Sequence, residues 1–485
     1  MRTHLLARWP LVAGLALIVG ACSDITRVNE NPNSPKDLGP EFLFPQAIRA
    51  AVENTYGRML LAHASIWAQQ TVQLQYPDEE RGRVRSQTIQ AFWNNYYAGA
   101  GFDVQTVINK GRAAGQPNIE GLGLIWKTWI FQQITDLWGD APYTQALTLT
   151  VDGGISTPVY DPQQAIYRSL IDTLKYAVPL LNPAELDFGD GDILYGNDLT
   201  KWTRFANSLR MRLAMRLSEV DPLTAQAEFV AAHNDGGFES NDDNAMLRWP
   251  GPPYQNLSYE NRVVDGRDDD GISKRMVDTL LSLNDPRLQL YAEPADSPAT
   301  PVTYNGLGNN IRVPPLSIVW YSRIGNFWRF DGAATPTAIM TYSEVLFLEA
   351  EAAERGWILT PADAGPLYVS AIRANMTQYT ALNSPTPAEI DAYVIQPSIV
   401  YAGGAAGLEQ IQLQKWISLF MQGSEAFANQ RRTDMPRLVL GPNITFRPVR
   451  FPYPAGEQSL NLVNMQAAVT RQMPQGDALT LQGRV

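Results

Sequence analysis

The chain has 485 residues, of which 45% are hydrophobic, 10% aromatic and only 18% charged, with a formal net charge of −11. This balance excludes intrinsic disorder, which requires few apolar residues. It also argues against nucleic-acid binding, because that affinity depends on cationic side chains that neutralise phosphates. Aromatic side chains are abundant, whereas 3 His and 1 Cys leave few nucleophiles, bases or metal ligands.

The first 22 residues have the order of a bacterial export signal. Arg2 and Arg8 form a basic start, and an apolar run over residues 11–21 follows. This run is too short to span a bilayer and ends in small residues, which predicts a cleaved signal peptide over residues 1–21. Val19-Gly20-Ala21-Cys22 resembles a bacterial lipobox, and the resemblance implies that Cys22 carries the lipid anchor of the mature chain. A secreted protein with an incidental cysteine is the alternative.

A polar, Asn- and Pro-rich segment over residues 22–40 is typical of a tether, and helical patterns dominate after it. Apolar spacing predicts helices over Glu41–Ala68, Thr88–Ala114, Leu122–Trp138, Asp161–Leu181 and Leu199–Val220. Leu122–Trp138 is apolar nearly all round, which is typical of a buried helix whose tryptophans lie in the core. Arg204, Arg212 and Arg216 are interpreted as a solvated helix face or as partners of local acids.

The clearest helical pair follows residue 335. A helix is predicted over Pro336–Arg355, with Thr335 as its N-cap and Gly356 after its last turn. A second helix over Pro361–Tyr379 completes a hairpin of the tetratricopeptide type, although the chain shows no strict 34-residue period. The last long helix is predicted over Glu409–Thr433.

Gly, Pro, Asn and Asp accumulate between residues 238 and 330, where short apolar stretches alternate with turns. Long irregular segments in a compact helical protein are often functional. No Pro- or Gly-rich linker divides the chain after residue 40. The sequence therefore predicts a mainly α fold with a single domain over residues 41–485. Tetratricopeptide-like helical pairs build this domain, and an irregular loop and β-hairpin region is inserted at about 238–330.

Two segments combine aromatic rings with planar polar side chains, the mixture that binds the CH faces and hydroxyl groups of sugars. In the irregular region the candidate ligand-binding residues are Trp320, Tyr321, Arg323 and Trp328. For the two tryptophans, the alternative is a packing role over the helices.

The second segment lies earlier in the chain, where a loop separates two predicted helices. Its candidate ligand-binding residues are Tyr76, Asp78 and Arg81 in the loop, and Trp93 on the following helix. Trp93 also falls on a helical apolar stripe, so a core position is its alternative.

Signals for a metal site or an enzyme are weak, and no cofactor is predicted. Asp268-Asp269-Asp270 fits no EF-hand loop, so Asp270 is interpreted as a cap of a helix beginning near Ile272, with a structural calcium ion as the alternative. The two histidines of the mature chain, His63 and His233, are distant in sequence, and no Gly-x-Ser-x-Gly motif occurs. A pair of catalytic carboxylates carries no motif, so a glycan hydrolase stays open as an alternative.

Further motifs occur in a fixed order along the chain. They are Thr135–Tyr143, Leu281–Leu288, Tyr342–Glu351, Gln414–Met421, Glu425–Thr433 and Arg450–Pro454. Together with the lipobox, they resemble the SusD/RagB family of outer-membrane nutrient-binding lipoproteins over essentially the whole mature chain. Two features depart from the family pattern: only Asp24 is acidic between Cys22 and Glu30, and the chain lacks a Trp-rich tail.

The resemblance implies a lipid-anchored, tetratricopeptide-containing protein at the outer membrane, facing the cell surface. It further implies that the protein binds a nutrient, often an oligosaccharide, and delivers it to a SusC-like TonB-dependent transporter without breaking bonds. The remaining alternatives are a lipid-anchored glycan hydrolase and a helical-repeat scaffold without a small ligand.

Overall fold

The computed structural model describes residues 38–57, 63–78, 80, 84–148, 153–296, 303–311, 316–442 and 448–473. The predicted signal peptide, the predicted lipidation site Cys22, most of the predicted tether and Arg81 lie outside these residues. The described residues from Pro40 onwards belong to one unit.

Helices make up most of the described chain. The longer ones are α1 (Pro40–Tyr56), α2 (Ser86–Asn94), α3 (Phe102–Ala114), α4 (Pro117–Trp138), α5 (Gln163–Ala177), α6 (Leu199–Arg216), α7 (Pro222–Asn234), α8 (Lys274–Ser282), α9 (Tyr342–Glu354), α10 (Ala364–Thr377), α11 (Pro387–Val394), α12 (Gly404–Ser418), α13 (Gly423–Thr433) and α14 (Leu462–Gln472). Short helical segments are Ser65–Trp67, Asn95–Gly101, Val178–Leu180, Gly189–Gly191, Asn241–Asp243, Leu257–Tyr259, Glu260–Val264, Leu288–Tyr291, Ile318–Trp320, Asn326–Arg329, Pro361–Asp363 and Ala455–Leu460. The strands are β1 (Thr71–Gln73), β2 (Ala141–Pro142), β3 (Tyr160–Asp161), β4 (Ala245–Leu247), β5 (Asp270–Ile272) and β6 (Thr337–Met340).

Helix α4 occupies the core, as its all-round apolar pattern predicts. Trp126, Trp129 and Trp138 are fully buried, and the first two stack with ring centroids 4.6 Å apart. Burying one large apolar side chain stabilises the folded state by about 1.5–3 kcal/mol. Because α4 is buried on nearly every side, it is the element against which its neighbours pack.

The predicted tetratricopeptide-like pair is confirmed in α9 and α10, which pack closely against each other. Ala350, Ala353 and Ala371 are fully buried, and their small side chains permit this approach. Ser343 Oγ also donates a hydrogen bond to the Ala371 carbonyl at 2.8 Å. Helix α9 ends as predicted, since Gly356 adopts a left-handed φ of 70° directly after it.

The predicted start of this helix is wrong. Residues Thr337–Met340 form β6, which pairs with β4, and α9 begins only at Tyr342. Thr341 is the N-cap, because its hydroxyl accepts a hydrogen bond from the Glu344 amide at 3.3 Å. Pairing with a distant strand overrides the local Thr-Pro signal for a helix N-terminus.

The predicted last helix is also interrupted. Helix α12 ends at Ser418 and α13 begins at Gly423, with Met421 in a left-handed conformation between them. Leu419 and Phe420 are nonetheless buried, so the apolar periodicity continues across the break and conceals it. Helix α14 follows later in the chain.

The interpretation of Arg212 and Arg216 as a solvated helix face is wrong, because α6 carries both side chains into the interior. Arg212 donates through Nε and Nη2 to the two carboxylate oxygens of Glu344, at 2.8 and 2.6 Å. Arg216 Nη2 lies 2.7 Å from Glu425 Oε2. The partner acids lie on α9 and α13, so these ion pairs join helices that are distant in sequence.

Strands of the irregular region pair with strands outside it. Strand β4 pairs with β6, and β5 pairs with β1 in an antiparallel register that places Thr71 opposite Ile272 and Gln73 opposite Asp270. The irregular region is therefore tied at two points to other parts of the chain. The pairing of β1 with β5 positions the candidate site.

Candidate functional site

The pairing of β1 with β5 brings the two predicted ligand-binding segments together. The chain leaves β1 towards Tyr76, and the Leu74 amide donates to the Asp269 carbonyl at 2.6 Å. On β5, the Ile272 amide donates to the Ser322 carbonyl at 3.3 Å, next to the segment that carries Trp320. Segments about 240 residues apart in sequence thus meet at one place on the fold.

An apolar cluster supports this surface from below. Val72, Leu74, Leu307 and Tyr321 form it, and each of these side chains is buried. Above the cluster, Tyr76 is 62% exposed and Trp320 is 37% exposed. The aromatic rings that remain available to a ligand here are those of Tyr76 and Trp320, and Asp78 is an exposed carboxylate beside Tyr76.

The structure corrects the prediction that Trp93, Tyr321 and Trp328 present ring faces to a ligand. Each of these side chains is at most 5% exposed. Trp93 packs edge-on against Trp138 with ring centroids 5.3 Å apart, and Trp328 packs in the same way against Phe420 at 5.4 Å. The packing interpretation therefore holds for Trp93 and Trp328, while Trp320 stays available.

Arg323 is buried and holds the exposed turn in place. Its guanidinium forms two hydrogen bonds with the Asp268 carboxylate, at 3.0 and 2.9 Å. It also donates to the carbonyls of Ile318 and Tyr321, at 2.7 and 2.6 Å, on either side of Trp320. Arg323 is thus a positioning residue for Trp320. Arg81 lies outside the described residues, so its role stays a prediction.

A polar cleft of about 510 Å³ adjoins the segment that follows residue 257. Its walls come from α1, from the chain around residues 91–99 and from residues 257–265. The polar side chains that line it are Gln46, Arg49, Glu53, Asn54, Asn95, Glu260, Asn261 and Asp265. Amides and carboxylates of this kind bind sugar hydroxyls, because they offer both donors and acceptors.

Neighbouring groups fix the orientation of the cleft side chains. Arg49 donates to Glu53 Oε1 at 2.5 Å, and its guanidinium lies 5.3 Å from the ring centroid of Tyr254, which is 51% exposed. Asn54 Nδ2 donates to a main-chain carbonyl at 3.0 Å, and Asn95 Nδ2 donates to Asn54 Oδ1 at 3.3 Å. The cleft therefore combines pre-oriented amides with an exposed aromatic ring at its edge.

A kinked turn and a π-helical turn shape the cleft, and the sequence does not reveal them. Asn95–Gly101 interrupts the predicted helix over Thr88–Ala114, since Gly99 has a non-helical φ of −96° and ψ of −106°, and Glu260–Val264 forms a π-helical turn after a single helical turn. Turns of the π-helical type are rare and occur frequently at functional sites. The apolar periodicity runs through the first of them, so only the glycines at positions 99 and 101 hint at a break.

The chain from Glu260 to Asp270 links the cleft to the aromatic surface. Asn261 lines the cleft and donates to Asp270 Oδ2 at 3.1 Å. Arg267 lies 6.0 Å from the ring centroid of Tyr76 and pairs with Asp269. The segment that lines the cleft is thus bonded to β5, the strand beside the two exposed rings, and the candidate site comprises the cleft and these rings.

The acidic triplet Asp268-Asp269-Asp270 has a structural role in the segment from Glu260 to Asp270. Asp268 accepts hydrogen bonds from Arg323 and from Arg329, the latter at 2.7 Å. Burial, reinforced by the Asp269 carboxylate, raises the pKa of Asp270 to about 7. Asp270 is not a helix cap, because it lies in β5 and Ser273 Oγ accepts the Met276 amide at 3.0 Å instead. Within the described residues, no group of three or more His, Cys, Asp or Glu is placed to hold a metal ion.

In the described part of the chain, no helix has both the length and the hydropathy of a membrane-spanning segment. Comparison with known families matches residues 32–454 to a SusD-like model described as starch-binding and associating with the outer membrane. A search of curated proteins finds no match.

Several solved structures share the fold. A chitin-binding protein is 30% identical with a TM-score of 0.80, and the match covers 92% of this chain and 99% of that one. A SusD-like protein labelled Bacteroidetes AC2a is 25% identical with a TM-score of 0.79, covering 92% and 100%. A chitin-binding SusD homologue from Flavobacterium johnsoniae is 23% identical with a TM-score of 0.76, covering 90% and 97%, which shows the shared fold alone.

Proposed function

This chain belongs to the SusD-like family of starch-binding proteins that associate with the outer membrane, and on that premise we propose that it binds a glycan. One observation carries the proposal: the exposed rings of Tyr76 and Trp320 lie on segments that meet at β5, and β5 is bonded through Asn261 to a cleft of about 510 Å³ with many polar side chains. Aromatic faces stack on sugar rings, while the amides and carboxylates of the cleft orient the hydroxyls.

A β-linked N-acetylglucosamine oligomer is the first ligand class to test. The reason is that a relative 30% identical to this chain is a chitin-binding protein. The amide-rich wall of the cleft suits a ligand that carries acetamido groups, because amides donate to and accept from one another. A starch oligosaccharide is the second class, from the description of the family.

We further propose that the protein is anchored by lipid at Cys22 in the outer membrane, facing the cell surface. It would deliver the bound glycan to a SusC-like TonB-dependent transporter. Support comes from the lipobox-like Val19-Gly20-Ala21-Cys22 and from the family to which the chain belongs. Co-purification of a transporter from native membranes tests this part of the proposal, and its consistent absence would contradict it.

Capture without bond breaking fits the site better than hydrolysis does. Asp270 has the raised pKa of a general acid, but it lines a pocket of only about 10 Å³, which is too small for a sugar ring. Its neighbours Asp268 and Asp269 are held by arginines. A structural calcium ion stays an untested alternative for this triplet.

Calorimetric titration with chito-oligosaccharides and malto-oligosaccharides of four to six sugars tests the proposal. Binding to one series with an unchanged chain length, measured by mass spectrometry after prolonged incubation, is the expected result. Shortening of the oligosaccharide would establish a hydrolase. Absence of binding to either series would contradict a site for these glycans.

A further inference from the structure

The charged side chains that line the polar cleft are mostly acidic. Among the described lining residues, Glu53, Glu260 and Asp265 carry carboxylates, and Arg49 is the only cation. The Arg49 guanidinium donates to Glu53 Oε1 at 2.5 Å and to Gln46 Oε1 at 2.8 Å. The charge of Arg49 is therefore balanced within α1.

Glu260 presents a carboxylate to the cleft that has no counter-charge. This carboxylate makes no hydrogen bond or ion pair with another residue in the described part of the chain. The side chain is half-buried, so that water screens its charge only in part. A carboxylate in such a position attracts a cationic ligand group more strongly than a fully exposed one does, and it repels an anionic group. The charge of Glu260 therefore influences which ligands the cleft binds.

The main chain holds Glu260 in the wall of the cleft. Its amide donates to the Asn256 carbonyl at 2.9 Å, and its carbonyl accepts the Asp265 amide at 2.9 Å. The Asn256 side chain in turn donates to the Thr335 carbonyl at 2.9 Å, close to β6. A charged group on a fixed main chain loses less conformational entropy on binding than one on a mobile loop does. Glu260 is thus positioned for a ligand in advance.

The other groups of the cleft decide which kind of cation fits beside Glu260. Amide side chains also line the cleft, and amides pair with the hydroxyl and acetamido groups of sugars; they belong to Gln46, Asn54, Asn95 and Asn261. A volume of about 510 Å³ suits an organic ligand rather than a single ion. An amino sugar combines hydroxyl groups with a cationic amine, and so it matches both kinds of lining group.

We propose that the cleft selects glycans that carry a protonated amino group, and that Glu260 is the residue that recognises this group. The ammonium group donates to the Glu260 carboxylate, while hydroxyl and acetamido groups of the same glycan pair with the amides. A partly deacetylated oligomer of β-linked N-acetylglucosamine has this chemistry. The inference rests on the proposed glycan-binding function and adds a charge preference to it.

Calorimetric titration of the full-length chain tests the proposal at about pH 6, where both Glu260 and a glucosamine amine are charged. The probes are chitotetraose, its partly deacetylated counterpart and the anionic tetragalacturonate. The deacetylated tetramer is expected to bind at least about tenfold more tightly than chitotetraose, and tetragalacturonate is expected to bind most weakly. Equal affinities for the first two probes would overturn the charge preference and leave glycan binding intact. Absence of binding to all three would contradict both proposals.

A neutral variant assigns the preference to one residue. Glu260→Gln removes the charge and is expected to weaken binding of the deacetylated tetramer about tenfold, while the affinity for chitotetraose stays unchanged. Glu409→Gln is the matched control, because Glu409 is exposed on α12 and does not line the cleft. Equal losses in the two variants would show non-specific attraction to an acidic chain and would overturn the role of Glu260.

Charge reversal gives a second readout, which depends on the order of the affinities rather than on their size. Glu260→Lys is expected to bind tetragalacturonate more tightly than the deacetylated tetramer. Its melting temperature is expected to stay close to that of the unmodified chain, since no described residue pairs with the Glu260 carboxylate. An order of affinities that this variant leaves unchanged would contradict recognition by Glu260.

Discussion

The helical body and the irregular region between residues 238 and 330 both use ion pairs, but in different surroundings. In the body, the side chains of Arg212 and Glu344 are at most 1% exposed and join α6 to α9. In the irregular region, Arg323 is nearly as buried, but its partner Asp268 is 25% exposed and borders the candidate site. The pair between Arg212 and Glu344 therefore supports the fold as a whole, whereas the pair between Arg323 and Asp268 positions one surface.

Breaking the pair between Arg212 and Glu344 is expected to have the largest effect on stability. Arg212→Met leaves the buried carboxylate of Glu344 without its partner, which destabilises a protein by about 3–5 kcal/mol. Urea denaturation followed by circular dichroism measures this change. The control is Arg373→Met, whose pair with Asp391 is exposed, and a loss below about 1 kcal/mol is expected there. Similar losses in the two variants would contradict the role of the buried pair.

The body also contains a histidine that is sensitive to acid. His63 is fully buried among aromatic rings, and burial, with a smaller contribution from Arg85, lowers its pKa to about 3. The unfolded chain takes up a proton below pH 6.5, whereas the folded chain does so only near pH 3, so stability is lost as the pH falls between these values. His63→Leu is expected to remove up to about 3 kcal/mol of the loss between pH 6.5 and pH 4.

The histidine at position 233 provides the opposite control. Its hydrogen bond to Glu349 raises its pKa, so its contribution to stability is full below pH 6.5 and is lost as the pH rises through the folded pKa. His233→Leu should therefore steepen the loss of stability on acidification, while His63→Leu should flatten it. Parallel pH profiles for the two variants and the unmodified chain would contradict both assignments.

Weakening the pair between Asp268 and Arg323 tests whether it positions the candidate site. Asp268→Asn removes the charge that holds Arg323 and Arg329, with an expected loss of about 1–3 kcal/mol in stability. Because Arg323 fixes the turn that carries Trp320, glycan affinity is expected to fall about tenfold. Calorimetry measures both quantities. Asp391→Asn is the control in an exposed pair, and a glycan affinity unchanged in Asp268→Asn would contradict the positioning role.

The smallest effect on stability is expected at the exposed rings themselves. Trp320→Ala and Tyr76→Ala should each weaken glycan binding about tenfold or more while lowering the melting temperature less than the ion-pair variants do, because Trp320 is 37% and Tyr76 is 62% exposed. Intrinsic fluorescence titration measures the affinity. Tyr176→Ala, which removes a 55% exposed tyrosine on α5, should leave it unchanged. Unaltered binding in both site variants would exclude this surface.

The sequence predicts well where one local pattern determines the structure. The all-round apolar pattern of Leu122–Trp138 predicts a buried helix, and Gly356 marks a helix end because its left-handed conformation is a local property. Prediction fails where a distant partner decides, as for Thr337–Met340, which pairs with β4. A composition suited to sugars likewise cannot separate the exposed Trp320 from the buried Trp328, since exposure depends on the packing of Phe420 and other distant residues.

The three-residue pairing of β1 with β5 has a kinetic consequence. Thr71 and Ile272 are opposite each other although 201 residues separate them in the chain. Closing a loop of this length costs about 5 kcal/mol of chain entropy, and so few strand residues cannot offset it alone. We therefore expect this contact to form after the intervening helices have packed. On that expectation the recognition surface is assembled late in folding, and amide hydrogen exchange in β1 and β5 is expected to report on the integrity of the helices between them.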